Sequence, residues 1–306
     1  NLAILGYLRA NCPHGGHIVT TAVEHASVLR IFESLAGRGY DVTFLPVGED
    51  GRINMEEVRR SLRDDTVLVS VMAANNETGM IQPLAEIGAL AREKNAAFHV
   101  DAVQGFGWLS LRPEEQHIDL LSIAGHKVYG PTGIGVLYGR EALLEKMPPY
   151  QGGGEMIARV TFEHTTYERL PYKFEAGTPD YVGSHALGVA LDYVTHLGLA
   201  NIAQHERELT VYAMEKMRTI PGMTLYGTTA EKDAVVAFNV GEIHHLDLGT
   251  LLDRLGIAIR TGHHCAQPLM QRYGVEGMCR ASFGLYSTKE EIDALVAGLE
   301  RVVTMF

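Results

Sequence analysis

A chain of 306 residues, 46% hydrophobic and 21% charged, is long enough to bury a sizeable core as one large domain or two moderate ones. Its formal net charge of −11 argues against nucleic acid as a main partner, and no apolar run reaches bilayer-spanning length. Three cysteines (Cys12, Cys265 and Cys279) with no CxxC pair fit a reducing compartment better than a disulfide scaffold, and argue against a structural zinc site.

Residues 1–9 have the apolar spacing of an amphipathic helix, with neither a starting Met nor a cap. The expectation is a piece lacking its natural N-terminus, so targeting cannot be read. Residues 17–21 predict a short buried strand, followed by Glu24 and His25 where α/β proteins place ligand-facing loops. A helix is expected over 26–35, ended by Gly37 and Gly39, then a strand over 41–47. Asn54 and Glu57 have capping-box spacing for a helix reaching Leu62. Residues 66–72 form a strongly apolar strand, followed by the polar turn Asn75-Asn76-Glu77-Thr78-Gly79. Pro83 opens a helix to Lys94, and strands follow at 97–101 and 119–124. Residues 147–180, rich in Gly, Pro and aromatics, predict a long loop of the functional kind. Helices are expected over 184–197 and 201–220, and a last helix to Met305 with Ser287 and Glu290 as its capping box. The alternation of strands and helices predicts an α/β protein with a mostly parallel central sheet flanked by helices. A large domain over 1–200 and a small α+β domain over 201–306, carrying Cys265 and Arg280, are expected.

Residues 119–138 read DLLSIAGHKVYGPTGIGVLY. An apolar strand leads into Gly125-His126-Lys127, then a Gly/Pro turn and a second apolar strand. Burial lowers a lysine pKa, and the neutral amine is a nucleophile able to form a Schiff base. A surface lysine in a hairpin turn fits this stretch equally well. His25, Asn76, Asp101 with Gln104, and His126-Lys127 all stand at strand ends or just beyond, and such ends line one crevice in an open α/β sheet. Asp101 closes an apolar strand, where a carboxylate needs a cationic partner. A pyridinium nitrogen would be one, and its protonation makes the ring an electron sink. Taken singly, Asp101 reads better as a helix N-cap, and His25 as a satisfied core histidine.

The runs HVDAVQ, GHKVYGPTGIG and FEAGTP resemble the class V (fold type I) pyridoxal-phosphate enzymes, specifically cysteine desulfurases, across essentially the whole chain. The stretch from Arg260 to Met270 (RTGHHCAQPLM), with GGGEM and CRASF, is similar to the SufS type, or group II, which includes selenocysteine lyases. NNETGMIQP resembles the NifS type instead. The resemblance implies pyridoxal 5'-phosphate as cofactor, with Lys127 as its Schiff-base lysine. Asp101 would pair with the ring nitrogen, and Gln104 and Asn76 with the phenolic oxygen. His25 would stack on the ring and shuttle protons, and His126 would contact the phosphate. Thr178 would reach the phosphate of a partner subunit, which implies a homodimer with shared sites. Arg280, with Arg260 near it, would bind the substrate carboxylate.

The implied reaction turns L-cysteine into L-alanine. Lys127 takes the α-proton, and Cys265, as a thiolate, takes the sulfur as a persulfide and passes it to an acceptor protein for iron–sulfur cluster assembly. A cytoplasmic setting and no membrane or nucleic-acid partner go with this. Selenocysteine lyase, or an aminotransferase or epimerase of the same fold, are the alternatives. His263 and His264 read as proton handlers or as loop polarity, the second being preferred for His264. Cys12 and Cys279 read as ordinary residues. The sequence departs from the family in two places. A Gly-Thr phosphate turn ahead of the first helix is not in it, and Ala124 replaces the Ser or Thr three residues before the lysine. Both departures remove phosphate contacts and predict weak cofactor binding by this piece, with affinity restored when the missing N-terminal turn is restored.

Overall fold

A computed structural model describes residues 1–229, 231–264 and 266–306. The first helix, α1 (Leu2–Asn11), is followed by β1 (Gly16–Thr21), α2 (Ala26–Ala36), β2 (Tyr40–Leu45), α3 (Met55–Ser61), β3 (Thr66–Met72), α4 (Leu84–Glu93), β4 (Ala97–Asp101), β5 (Leu120–Ala124) and β6 (Gly135–Gly139). These six strands form one sheet in the order β2-β1-β3-β4-β5-β6. All neighbours are parallel except β5 and β6. Strands β1, β3 and β4 are buried nearly end to end, because helices cover both faces of a parallel sheet.

Polar residues inside the sheet are paired rather than orphaned. His17 lies between the hydroxyls of Thr66 and Thr43, at 2.8 and 2.9 Å. His99 lies between those of Ser70 and Ser122, both at 2.9 Å. Burial lowers the His99 pKa to about 3, so this histidine is a neutral hydrogen-bonding strut. Phe98, beside it on β4, is fully buried in the core under the sheet. Phe98→Ala is expected to cost about 3–5 kcal/mol, read as a lowered urea midpoint. A loss under about 1 kcal/mol would mean that the core closes over the gap.

After α5 (Glu141–Lys146), residues 147–180 are not wholly irregular, since β7 (Ile157–Val160) and β8 (Thr165–Tyr167) pair as a short antiparallel hairpin. Helices α6 (Tyr181–Leu197) and α7 (Leu199–Met217) then lead to β9 (Met223–Tyr226), β10 (Val235–Val240), α8 (His245–Asp253), β11 (Arg260–Gly262), α9 (Gln267–Tyr273), β12 (Met278–Ser282) and α10 (Lys289–Val303). The last four strands form an antiparallel sheet, β11-β12-β10-β9, whose core takes residues from α7, α8 and α10. Among the described residues no single helix is long and apolar enough to cross a membrane.

Three local expectations need correction. Strand β2 stops at Leu45, and Val47 pairs instead with Ile53 in an isolated bridge. Asn54 does cap α3, accepting from the Glu56 N–H, but Glu57 gives no reciprocal bond. The capping box of α10 is Thr288 with Glu291, one residue later than expected.

Candidate active site

The C-terminal ends of β1, β3, β4 and β5 deliver Glu24-His25, the 75–79 turn, Asp101 and Lys127 to one edge of the sheet. Lys127 sits in a single helical turn, Gly125–Lys127, directly after β5. The return into β6 depends on glycines at two points. Gly133 has φ +83, and a Cβ at Gly135 would lie 2.7 Å from the Ile123 carbonyl oxygen.

Lys127 Nζ donates to Gln104 Oε1 at 3.0 Å. Gln104 Nε2 in turn donates to Asp233, a 4% exposed residue just ahead of β10. A carboxylate only accepts, so Asp233 fixes which end of the Gln104 amide faces the lysine. Lys127 still reaches solvent, yet the protein around it and the Arg280 charge lower its pKa, opposed by Asp101, Asp233 and Glu77. The Asp233 carboxyl is pushed up to about 6 by burial, against the bonds from Gln104 and the Ala234 N–H. Asp101 is 7% exposed, and its carboxylate has one hydrogen bond among the described residues, from the Val103 N–H at 3.0 Å. Burial raises its pKa, opposed by that bond and by His25 and Lys127 nearby.

His25 is the N-cap of α2. Its Nδ1 accepts from the Ser27 N–H at 3.2 Å and meets the Ser27 hydroxyl at 2.8 Å. No helix follows Asp101 before β5, so its carboxylate does not cap a helix but holds the turn after β4. Asn76 donates to Glu77 Oε1 at 3.1 Å and to the His264 carbonyl at 3.4 Å, leaving its buried Oδ1 without a partner among the described residues. Arg280 reaches across from β12 to the same turn, donating to the Asn76 carbonyl and, at 2.9 Å, to Glu77. Arg260 on β11 is Arg280's register partner but is exposed.

A cavity of about 240 Å³ holds Gln104, His126, Lys127, Asp233 and Arg280 together. A larger one, about 560 Å³, lies at the opposite ends of β4 and β5, around Ala97 and Asp119, and contains none of these groups. Chemistry rather than volume therefore locates the site. His126 is exposed at the cavity rim, and Thr178 is exposed in the loop before α6. The Cys265 assignment lies outside the described residues. Of the other cysteines, Cys279 is buried and its thiol pushed up to about 12, and burial raises Cys12 as well. Neither is a ready thiolate at neutral pH.

Glu77, Asp233 and Glu206 entered no sequence reading as site residues. Asp233 had one weak signal, an acidic residue at the head of the apolar run VVAFNV. Glu206 on α7 lines the same cavity; burial raises it to about 7, and Tyr129 donates to it at 3.1 Å.

The model of the aminotransferase class-V family matches residues 1–295. The chain belongs to this family, among its cysteine desulfurases. A protein named cysteine desulfurase from Pectobacterium carotovorum is 44% identical over 99% of the chain and 74% of its own length. A probable cysteine desulfurase from Halalkalibacterium halodurans is 43% identical over 100% of the chain and 75% of its own length. Among solved structures, a cysteine desulfurase from Thermococcus onnurineus in apo form superposes with a TM-score of 0.93 at 32% identity, covering 99% of this chain and 77% of that one. One from Escherichia coli gives 0.92 at 32% identity, covering 98% and 76%. The α/β fold with its mostly parallel sheet is thus that of fold type I class V enzymes, and the family depends on pyridoxal phosphate.

The residues present fit that cofactor. Among the described residues buried Asp101 has no ion-pair partner for its charge, and Gln104 keeps one amide proton beyond the one given to Asp233. Lys127 is close by with a lowered pKa. The fit is thinner at the phosphate, because Ala124 offers no hydroxyl.

Proposed function

We propose that the chain converts L-cysteine to L-alanine, with pyridoxal phosphate as its cofactor and Cys265 as sulfur acceptor. The observation that carries this reading is the group Lys127–Gln104–Asp233 in one crevice with Arg280, with Asp101 near enough for its charge to act on Lys127. Lys127 would hold the cofactor covalently, Asp101 its ring nitrogen, Gln104 its phenolic oxygen and His126 its phosphate. Asn76, with both amide protons given to Glu77 and His264, would reach the phenolic oxygen only by turning its amide. When bound, the cofactor supplies an electron sink for the pair left behind as the substrate α-proton departs.

The chain's own residues do the rest. Arg280 binds the α-carboxylate and so orients the α-proton toward Lys127, with Arg260 adding positive charge nearby. A lowered pKa leaves more of the Lys127 amine neutral at pH 7, ready to accept that proton. His25, held through Nδ1 by Ser27, would lay its ring face on the cofactor and keeps Nε2 for proton transfer. The Cys265 thiolate attacks the substrate sulfur. The S–S bond forms as the Cβ–S bond breaks, the electron pair stays on carbon, and protonation there yields alanine.

The persulfide would then pass to an acceptor protein for iron–sulfur cluster assembly, in the cytoplasm. Thr178 would complete the phosphate site of a second subunit, giving a homodimer. The domain division at residue 200 is supported by α7 packing with α10. With added cofactor and a reductant, the parent is expected to release alanine from L-cysteine and Cys265→Ala under about 1% as much. Equal release from both would remove Cys265 as acceptor and favour a lyase that acts without it.

A further inference from the structure

Glu77 is fully buried, and both of its oxygens are engaged. Oε1 accepts from Arg280 Nη1 at 2.9 Å and from Asn76 Nδ2 at 3.1 Å, and Oε2 accepts from His264 Nδ1. Arg280 Nη1 also donates to the Asn76 carbonyl, so both of that nitrogen's protons are committed to the turn. Arg280 Nε, by contrast, is buried without a partner among the described residues. A guanidinium grips a carboxylate through two parallel N–H groups. With Nη1 occupied, the edge formed by Nε and Nη2 is the one left, and a bound carboxylate would satisfy the orphaned Nε.

We propose that Glu77 is the positioning residue of the amino-acid site: its buried carboxylate holds Arg280 so that only the Nε–Nη2 edge meets the substrate α-carboxylate, and it ties His264 to the same turn. This deepens the desulfurase reading and rests on Arg280 being the carboxylate ligand. His264 is thereby more than loop polarity. Its Nδ1 must carry a proton to face Glu77, and its backbone carbonyl accepts from Asn76, so side chain and main chain dock on one turn. The groups facing Glu77 are Arg280, Asn76 and His264.

Geometry and simple electrostatics give opposite signs for the loss of this charge. A carboxylate beside Arg280 partly neutralises it, so on charge alone Glu77→Gln would tighten carboxylate binding. If Glu77 positions Arg280, the same change weakens it, because a glutamine cannot accept from both Arg280 and His264 at its two ends.

The test uses the cofactor-loaded protein and calorimetric affinities for L-alanine and for ethylamine, which lacks the carboxylate. Glu77→Gln, with folding checked by its unfolding midpoint, is expected to weaken L-alanine about tenfold to a hundredfold and to leave ethylamine within about twofold. The KM for L-cysteine should rise in step while kcat changes less. Tighter or unchanged L-alanine binding, or equal weakening of both amines, would overturn the role of Glu77. A parent that does not prefer L-alanine to ethylamine would remove Arg280 as carboxylate ligand, and the proposal with it. Failure of Cys265→Ala to lose activity would strike the desulfurase reading and leave the Glu77 result standing.

Discussion

Lys127→Ala is expected to release alanine from L-cysteine at least about 10⁴-fold more slowly than the parent, because one side chain serves as both covalent anchor and base. General-base catalysis by itself contributes about 10²–10⁴, and loss of the anchor removes pre-organisation as well. The two losses overlap, since groups acting as a unit are not additive. Lys127→Arg separates charge from chemistry. It keeps the positive charge beside Asp101 and Asp233, but a guanidinium does not deprotonate. Both variants should therefore be inactive, whereas a purely electrostatic role would spare the arginine. Borohydride reduction followed by mass analysis gives a readout independent of turnover. The cofactor mass should stay on the Lys127 peptide of the parent and on neither variant. Turnover within about tenfold of the parent in Lys127→Ala would displace Lys127 from both roles.

Glu24→Gln is expected to stabilise the protein increasingly as pH rises. Glu24 is fully buried next to the site. Its Oε1 accepts from the Thr21 hydroxyl at 2.8 Å and from the Met72 N–H at 2.9 Å, and Oε2 has no partner among the described residues. That pattern suits a protonated acid. Burial raises its pKa from 4.5 to about 8, the Met72 and Thr21 bonds opposing and nearby Asp101 adding to the rise. The sign follows from proton counting. Between about pH 4.5 and 8 the unfolded chain has given up this proton while the folded chain keeps it. Folding then requires proton uptake, so the contribution to stability is complete below the lower value and fades up to the higher one. Glutamine is the neutral isostere and has no such window. Its advantage over the parent should be small at pH 5 and grow to a few kcal/mol near pH 8.5, read from urea midpoints at the two pH values. A difference independent of pH would mean that Glu24 is ionised in the folded protein. A neutral Glu24 also keeps a second negative charge away from Asp101, leaving that carboxylate to a cationic ring nitrogen.

Local pattern carried much of the fold. Strands β3 and β4 have the limits that the runs TVLVSVM and AFHVD predict, because a strand covered on both faces must be apolar almost throughout. Lys127 and Asp101 were legible for a related reason: a charge next to an apolar strand is unusual enough to notice in one dimension. Where two local solutions were nearly equal, the fold chose between them. Ser287/Glu290 and Thr288/Glu291 both have capping-box spacing. Ser287 is taken by the turn before the helix, accepting from the Gly284 N–H at 3.1 Å while its carbonyl meets His205 at 3.1 Å, and so the box moves to Thr288.

What no window of sequence could show is the set of partners gathered around a buried charge. Glu77 lies 203 residues from Arg280, and Gln104 lies 129 residues from Asp233. In sequence Glu77 is one polar residue of a polar turn, and Asp233 follows a lysine. Their weight comes from burial, which makes an unpaired carboxylate costly and a paired one a fixed point. Periodicity reports which side of an element meets the core. It does not report which two elements bring opposite charges together there, and in this protein that meeting decides how Arg280 and Lys127 are held.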